Sequence, residues 1–96
     1  MDEIKQLTKE QLTRAIPARV RKRLILGEIE SGSDVTSLRR FVGLSQAQFA
    51  LAMGISVQTL RNWELGRTRP DGAAIGFLRI AARHPRIIRE NLPAAA

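Results

Sequence analysis

Gln58 and Asn62 stand one helical turn apart, with Arg61 between them and Val57 and Thr59 alongside. The planar amides of Gln and Asn can pair a donor and an acceptor with an adenine edge. An Arg fork does the same for guanine, and a Val methyl can meet a thymine methyl. An ordinary solvated helix face would carry Glu and Lys instead. Arg67 and Arg69 follow directly, placed to meet backbone phosphate on either side of a groove. Gln46 and Ser56 each stand where a helix begins, so their backbone N–H groups can also face phosphate. The candidate DNA-contacting set is therefore Gln46, Ser56, Val57, Gln58, Thr59, Arg61, Asn62, Arg67 and Arg69. The chain has one His, no Cys and scattered carboxylates. No nucleophile–base pair or metal-ligand set can be assembled from these, so we expect neither an enzyme nor a metal or cofactor.

A reading helix needs a second helix to hold it, and Gln46–Trp63 has the required punctuation. Ala50 is small where two helices would cross, Gly54 suits a tight turn, and Ile55 can tuck beneath it. Phe49, Leu60 and Trp63 fall on inward positions. This pattern reads as two short helices joined by a turn, a helix-turn-helix. An unspecialised helical hairpin is the plainer alternative. Trp63 is read as core and not as a stacking platform.

Similar punctuation covers the rest of the chain. Thr8 and Gln11 resemble a capping box, predicting a helix from about Lys9. Pro17 either ends it or opens the next. Val20, Leu24, Ile25 and Ile29 suit an amphipathic helix over 18–29, with Arg19, Arg21, Lys22 and Arg23 crowding its first half. Glu30–Asp34 (ESGSD) reads as a loop and the best boundary. We therefore expect an N-terminal arm at 1–32, a domain at 33–92 and a tail at 93–96. Within the domain, Asp34 caps a helix stopped by Gly43, Ser45 one stopped by Gly54, Ser56 one stopped by Gly66, and Asp71 one running to about Arg83. Pro85 opens a short last helix through Ile88 and Leu92, with His84 ending the one before it. No stretch alternates long enough for a strand. The fold class is all-α, a bundle of about five helices with a helical or partly disordered arm.

Net charge is +7, positive in both the arm (7 Lys/Arg against 5 Asp/Glu in residues 1–30) and the remainder (9 against 4). Such a chain attracts polyanions. No apolar run approaches the roughly 20 residues of a membrane span, and the charged start is wrong for a secretory signal. A soluble cytoplasmic protein is expected, with no membrane partner. The helix over 72–83 is apolar on most of its circumference, and Phe77, Ile80, Ile87, Ile88 and Leu92 are candidates for a homodimer interface. Coverage of that surface by the last helix and the arm is the alternative.

Gly43-Leu44-Ser45-Gln46, Phe49-Ala50, Gly54-Ile55-Ser56, Thr59-Leu60 and Trp63-Glu64-x-Gly66-Arg67-x-x-Pro70 together resemble the Xre (Cro/C1-type) helix-turn-helix family, from Val35 to Arg83. The stretch from Trp63 through Pro70, with the helix ending Ala81-Ala82-Arg83-His84-Pro85, is similar to HigA-type antitoxins. The resemblance implies a lambda-repressor-like bundle that binds a palindromic operator in double-stranded DNA as a dimer and represses its own operon. It implies that Gln46 bonds the DNA backbone and buttresses the reading helix, and that Arg39 and Glu64 form a structural ion pair outside the site. It also implies a RelE/HigB-like toxin as partner. Val57 departs from the polar residue that many relatives carry there, and the arm matches nothing general in the family. Arm and RelE-like toxins would both be basic, a poor electrostatic match. A stand-alone Xre regulator, a protein-interaction module with incidental DNA affinity, and a non-specific RNA binder are the competing functional readings.

Overall fold

The structure, a computed structural model, describes residues 16–92. The helix expected near Lys9 and the tail at 93–96 lie outside them. Among the described residues there are six helices and no strand: α1 (Ala18–Ile25), α2 (Gly32–Val42), α3 (Gln46–Met53), α4 (Val57–Glu64), α5 (Gly72–Arg83) and α6 (Pro85–Glu90). None is long and apolar enough to cross a membrane.

The caps act as their chemistry dictates. Ser45 accepts from the Gln48 backbone N–H while the Gln48 side chain accepts from the Ser45 N–H, a full capping box. Ser56 accepts from the Thr59 N–H and Asp71 from the Ala74 N–H. Between α3 and α4, Gly54 adopts φ 75°, a left-handed conformation that an L side chain strains to reach.

Two expectations are corrected. The N-cap of α2 is Ser31, not Asp34. The Asp34 carboxylate is instead drawn backward, accepting from the Glu30 N–H and from Arg23. The amphipathic helix stops at Ile25 and not Ile29, because the chain turns at Gly27.

α2 is the hub, packing on α1, α4, α5 and α6, while α3 packs on α4. Leu38 and Val42 of α2 are fully buried among Phe49, Leu60, Leu78 and Ala81. Leu24 of α1 belongs to the same core, at 1% exposure. The segment expected as a boundary at Glu30–Asp34 thus contains the start of α2 and follows a short connection between two helices that share one hydrophobic cluster. α1, α2 and α6 all pack on α5 and leave Ala73, Arg79, Ile80 and Arg83 exposed. Ile88, expected at a dimer surface, is 2% exposed and lies in this core, because α6 folds back onto α5 and α2.

Arginines brace the helix ends. Arg21 of α1 donates to the Ala82 and Arg83 carbonyls at the end of α5, and Arg79 of α5 donates to the Ile25 carbonyl at the end of α1. Each helix thereby caps the other's orphan carbonyls. Arg89 does the same for Val42, and the Asn91 amide for Ala52. Arg21 also lies 5.0 Å above the Phe41 ring.

At Gly32 the start of α2 meets the end of α4. A Cβ there would run into the backbone carbonyls of Trp63 and Glu64, which cannot move aside as a side chain would. Gly32→Ala is expected to destabilise the domain by about 1–3 kcal/mol, lowering the thermal midpoint by several degrees. Ser33→Ala, one residue on, is the control. Equal melting of the two variants would refute this account of the α2–α4 contact.

Candidate nucleic-acid interface

The carboxylate of Glu64, the last residue of α4, organises the interface. Its side chain is 7% exposed and receives Arg39 Nε at 2.8 Å and Arg39 Nη2 at 3.2 Å, a bidentate pair. Thr36 Oγ1 donates at 3.0 Å and Gln46 Nε2 at 3.2 Å. One acceptor group therefore joins α2, α3 and α4. Arg39 also donates to the Leu44 carbonyl, fixing the α2–α3 loop. Among the described residues no buried side-chain donor or acceptor is left unpaired.

Gln46 gives its N–H to Glu64, which leaves its amide oxygen to accept from Arg61 Nε at 3.2 Å. Arg61 of α4 is thereby tethered through Gln46 while its terminal nitrogens stay in solvent. Gln46 is thus half-buried, and its side chain bonds two other side chains. Gln58 Nε2 donates to Asn62 Oδ1 at 3.1 Å, so the two amides lie side by side along α4. Gln58 and Arg61 are exposed and Asn62 is partly so.

The other expected residues divide. The Ser56 and Thr59 hydroxyls bond each other at 2.8 Å, so both serve the helix start. Val57 is half-buried against the core. Arg67 and Arg69 are exposed, and among the described residues neither forms an ion pair or side-chain hydrogen bond. Their loop is fixed by its backbone, with the Arg67 and Thr68 N–H groups both donating to the Asn62 carbonyl. Sequence reasoning missed Thr36 and Leu44 as Glu64 and Arg39 partners. No local pattern announces either, since Thr36 is remote in sequence from the carboxylate it serves.

Two carboxylates have displaced acidities. Burial pushes the Glu64 carboxyl up, but the hydrogen bonds from Arg39, Gln46 and Thr36 and the charge of Arg39 outweigh it, holding the group below the usual glutamate range. Asp34 follows the same pattern. Burial is opposed by Arg23, bonded bidentately at 3.0 and 3.2 Å, and by the Glu30 N–H.

This geometry defines a class of protein: a helical scaffold that presents one short polar helix beside an unpaired basic loop. Residues 37–76 match the helix-turn-helix family model. The chain is 38% identical over 61 residues to Antitoxin HigA-2 of Vibrio cholerae, covering 62% of this chain and 59% of that protein. It is 28% identical over 60 residues to the uncharacterized HTH-type transcriptional regulator YiaG of Escherichia coli K12, covering 62% of each. The chain thus spans less than two thirds of the length of these curated relatives. No solved structure matches it.

Both carboxylates have folded pKa values below their unfolded ones. Their contribution to stability is therefore complete above the usual carboxylate range and disappears as pH falls through the lowered values. Urea midpoints are expected to stay level from about pH 7 to 5 and to drop below about pH 4. Glu64→Gln leaves Arg39 buried without its counter-charge and is expected to cost about 3 kcal/mol at neutral pH. It should also shrink the acid loss. A variant as stable as the parent, with an unchanged acid limb, would show that the hub does not hold the helices.

Proposed function

We propose that this protein is a sequence-specific DNA-binding repressor that acts on its own promoter as a homodimer. The observation that carries the reading is the exposed face of α4. Gln58, Arg61 and Asn62 stand there side by side, Arg61 tethered by Gln46, next to the unpaired Arg67 and Arg69. Amides and a guanidinium on one helix face suit base edges in a major groove, and free arginines beside them suit phosphate. The helix-turn-helix match over 37–76 supports the same reading. The protein is a binder and not an enzyme.

The dimer sets two copies of α4 about one DNA turn apart, roughly 34 Å, on a palindrome. Of the five residues expected at its interface, Ile88 is in the core, Phe77 and Leu92 are partly buried against it, and Ile80 lies in the groove between α1 and α5, which leaves the Ile87 end of the bundle as the surface offered. Ile87 is 54% exposed. The similarity to Antitoxin HigA-2 supports an antitoxin of a type II toxin–antitoxin operon, with a RelE/HigB-like toxin as partner. A stand-alone regulator, the alternative, gains support from the similarity to YiaG. Co-purification of a small partner encoded beside this chain separates the two.

Mobility shift against the upstream promoter, with scrambled competitor, tests the DNA reading. Gln58→Ala and Asn62→Ala are each expected to lower specific affinity by about 1–3 kcal/mol while leaving non-specific binding almost unchanged. Arg67→Ala should weaken binding to every sequence and flatten the salt slope by about one unit. Equal behaviour of Asn62→Ala and Arg67→Ala would sink base readout by α4.

A further inference from the structure

The antiparallel packing of α1 on α5 leaves a groove of about 310 Å³ between them, lined by Ile25, Gly76, Arg79, Ile80, Arg83 and His84. It shares no lining residue with α4 or its loop. Gly76 has no Cβ and opens the floor beside Ile80, which is 49% exposed. Leu26, the residue after Ile25 at the end of α1, is 58% exposed. Arg79 spends its Nε on the Ile25 carbonyl, which anchors the side chain across the groove and leaves its terminal nitrogens available. Arg83 stands one turn further along α5 and is exposed. Lys22, also exposed, precedes Ile25 by one turn of α1. The lining contains no carboxylate.

We propose that this groove is a docking site for an acidic amphipathic helix of another protein. Charge selects that occupant. A second copy of this chain, paired symmetrically here, would set Arg79 and Arg83 against their own equivalents, and like charges across an interface oppose association. Residues 1–15 carry three basic and three acidic side chains, so they offer no net complement. A nucleic-acid backbone would satisfy the cations but leave Ile80, Ile25 and Leu26 uncovered. A helix with apolar residues at i, i+3, i+4 and i+7, flanked by Glu or Asp, buries these side chains and meets Lys22, Arg79 and Arg83 together. Because α4 takes no part in the groove, the site stands independently of the DNA reading, and one molecule can hold DNA and this partner together.

The test uses the full chain and a fluorescein-labelled peptide of Leu and Glu with that apolar spacing, followed by anisotropy at physiological salt. A twin with Lys for every Glu is the charge control. The acidic peptide is expected to bind and the Lys twin not to. Ile80→Gln and Arg83→Glu are each expected to weaken binding at least tenfold, while Arg67→Glu changes it less than twofold. Ile80 and Arg83 are exposed side chains, and unchanged melting of their variants checks that the fold persists. No binding of the acidic peptide, or equal loss in Arg67→Glu, would overturn the proposal. So would displacement of the peptide by duplex DNA from a protein carrying Arg67→Glu, which would make the groove a nucleic-acid site. A shift of oligomeric state in Ile80→Gln, seen by sedimentation, would assign the face to a second copy instead. Loss of promoter binding alone, with peptide binding intact, would count against the repressor reading and leave the groove standing.

Discussion

The Glu64 carboxylate has more donors aimed at it than any other group in the molecule's described part. Two come from Arg39, one from Thr36 and one from Gln46. Taking a carboxylate and a guanidinium out of water is expensive, and the pair recovers that only when nearly every lone pair is satisfied. Here it is, and the result is chiefly geometric. With the Gln46 N–H committed to Glu64, the amide oxygen has a single orientation, and Arg61 is held by it. The aim of a side chain on the exposed face of α4 is thus set, through Gln46, by a buried acid one turn further along the same helix.

Burial of Glu64 depends in turn on how closely α2 approaches α4. Gly32 supplies that approach, since the carbonyls of Trp63 and Glu64 lie where any Cβ would stand. Thr36 and Arg39 follow Gly32 by one and two turns of α2, so the contact at the glycine brings both into reach of the carboxylate. Leu60 and Trp63 close the apolar side of the same junction. Packing and polar network are one arrangement, in which α4 has little freedom to rotate or slide.

Net charge describes this molecule poorly on its own. Arg21, Arg23, Arg39, Arg79 and Arg89 spend donors on helix-end carbonyls or buried carboxylates. Arg67 and Arg69 have no such engagement. A chain of this composition can therefore carry structural and ligand-facing arginines in the same bundle, distinguished by what lies within reach of each guanidinium. The bracing of α1 against α5 by two such arginines also makes the groove between them a formed feature, with Arg79 held across it before any partner arrives.

The sequence by itself determined the helices and their ends in 43–85. Ser45, Ser56 and Asp71 cap, Gly54 turns, and Pro85 restarts the chain, because each acts through backbone groups only a few residues away. The resemblance also named Arg39 and Glu64 as a pair. Tertiary structure decided what depends on groups remote in sequence. Asp34 reads locally as a cap, yet it serves Arg23, because α1 folds back to bring that guanidinium within 3.0 Å. Ile88 reads as a spare apolar surface, yet it fills the core, because α6 closes over α5 and α2. Val57 and Thr59 read as outward, yet one leans on the core and the other bonds Ser56. A local pattern specifies which face of a helix is apolar or polar; only the packing of one helix on another specifies what that face meets.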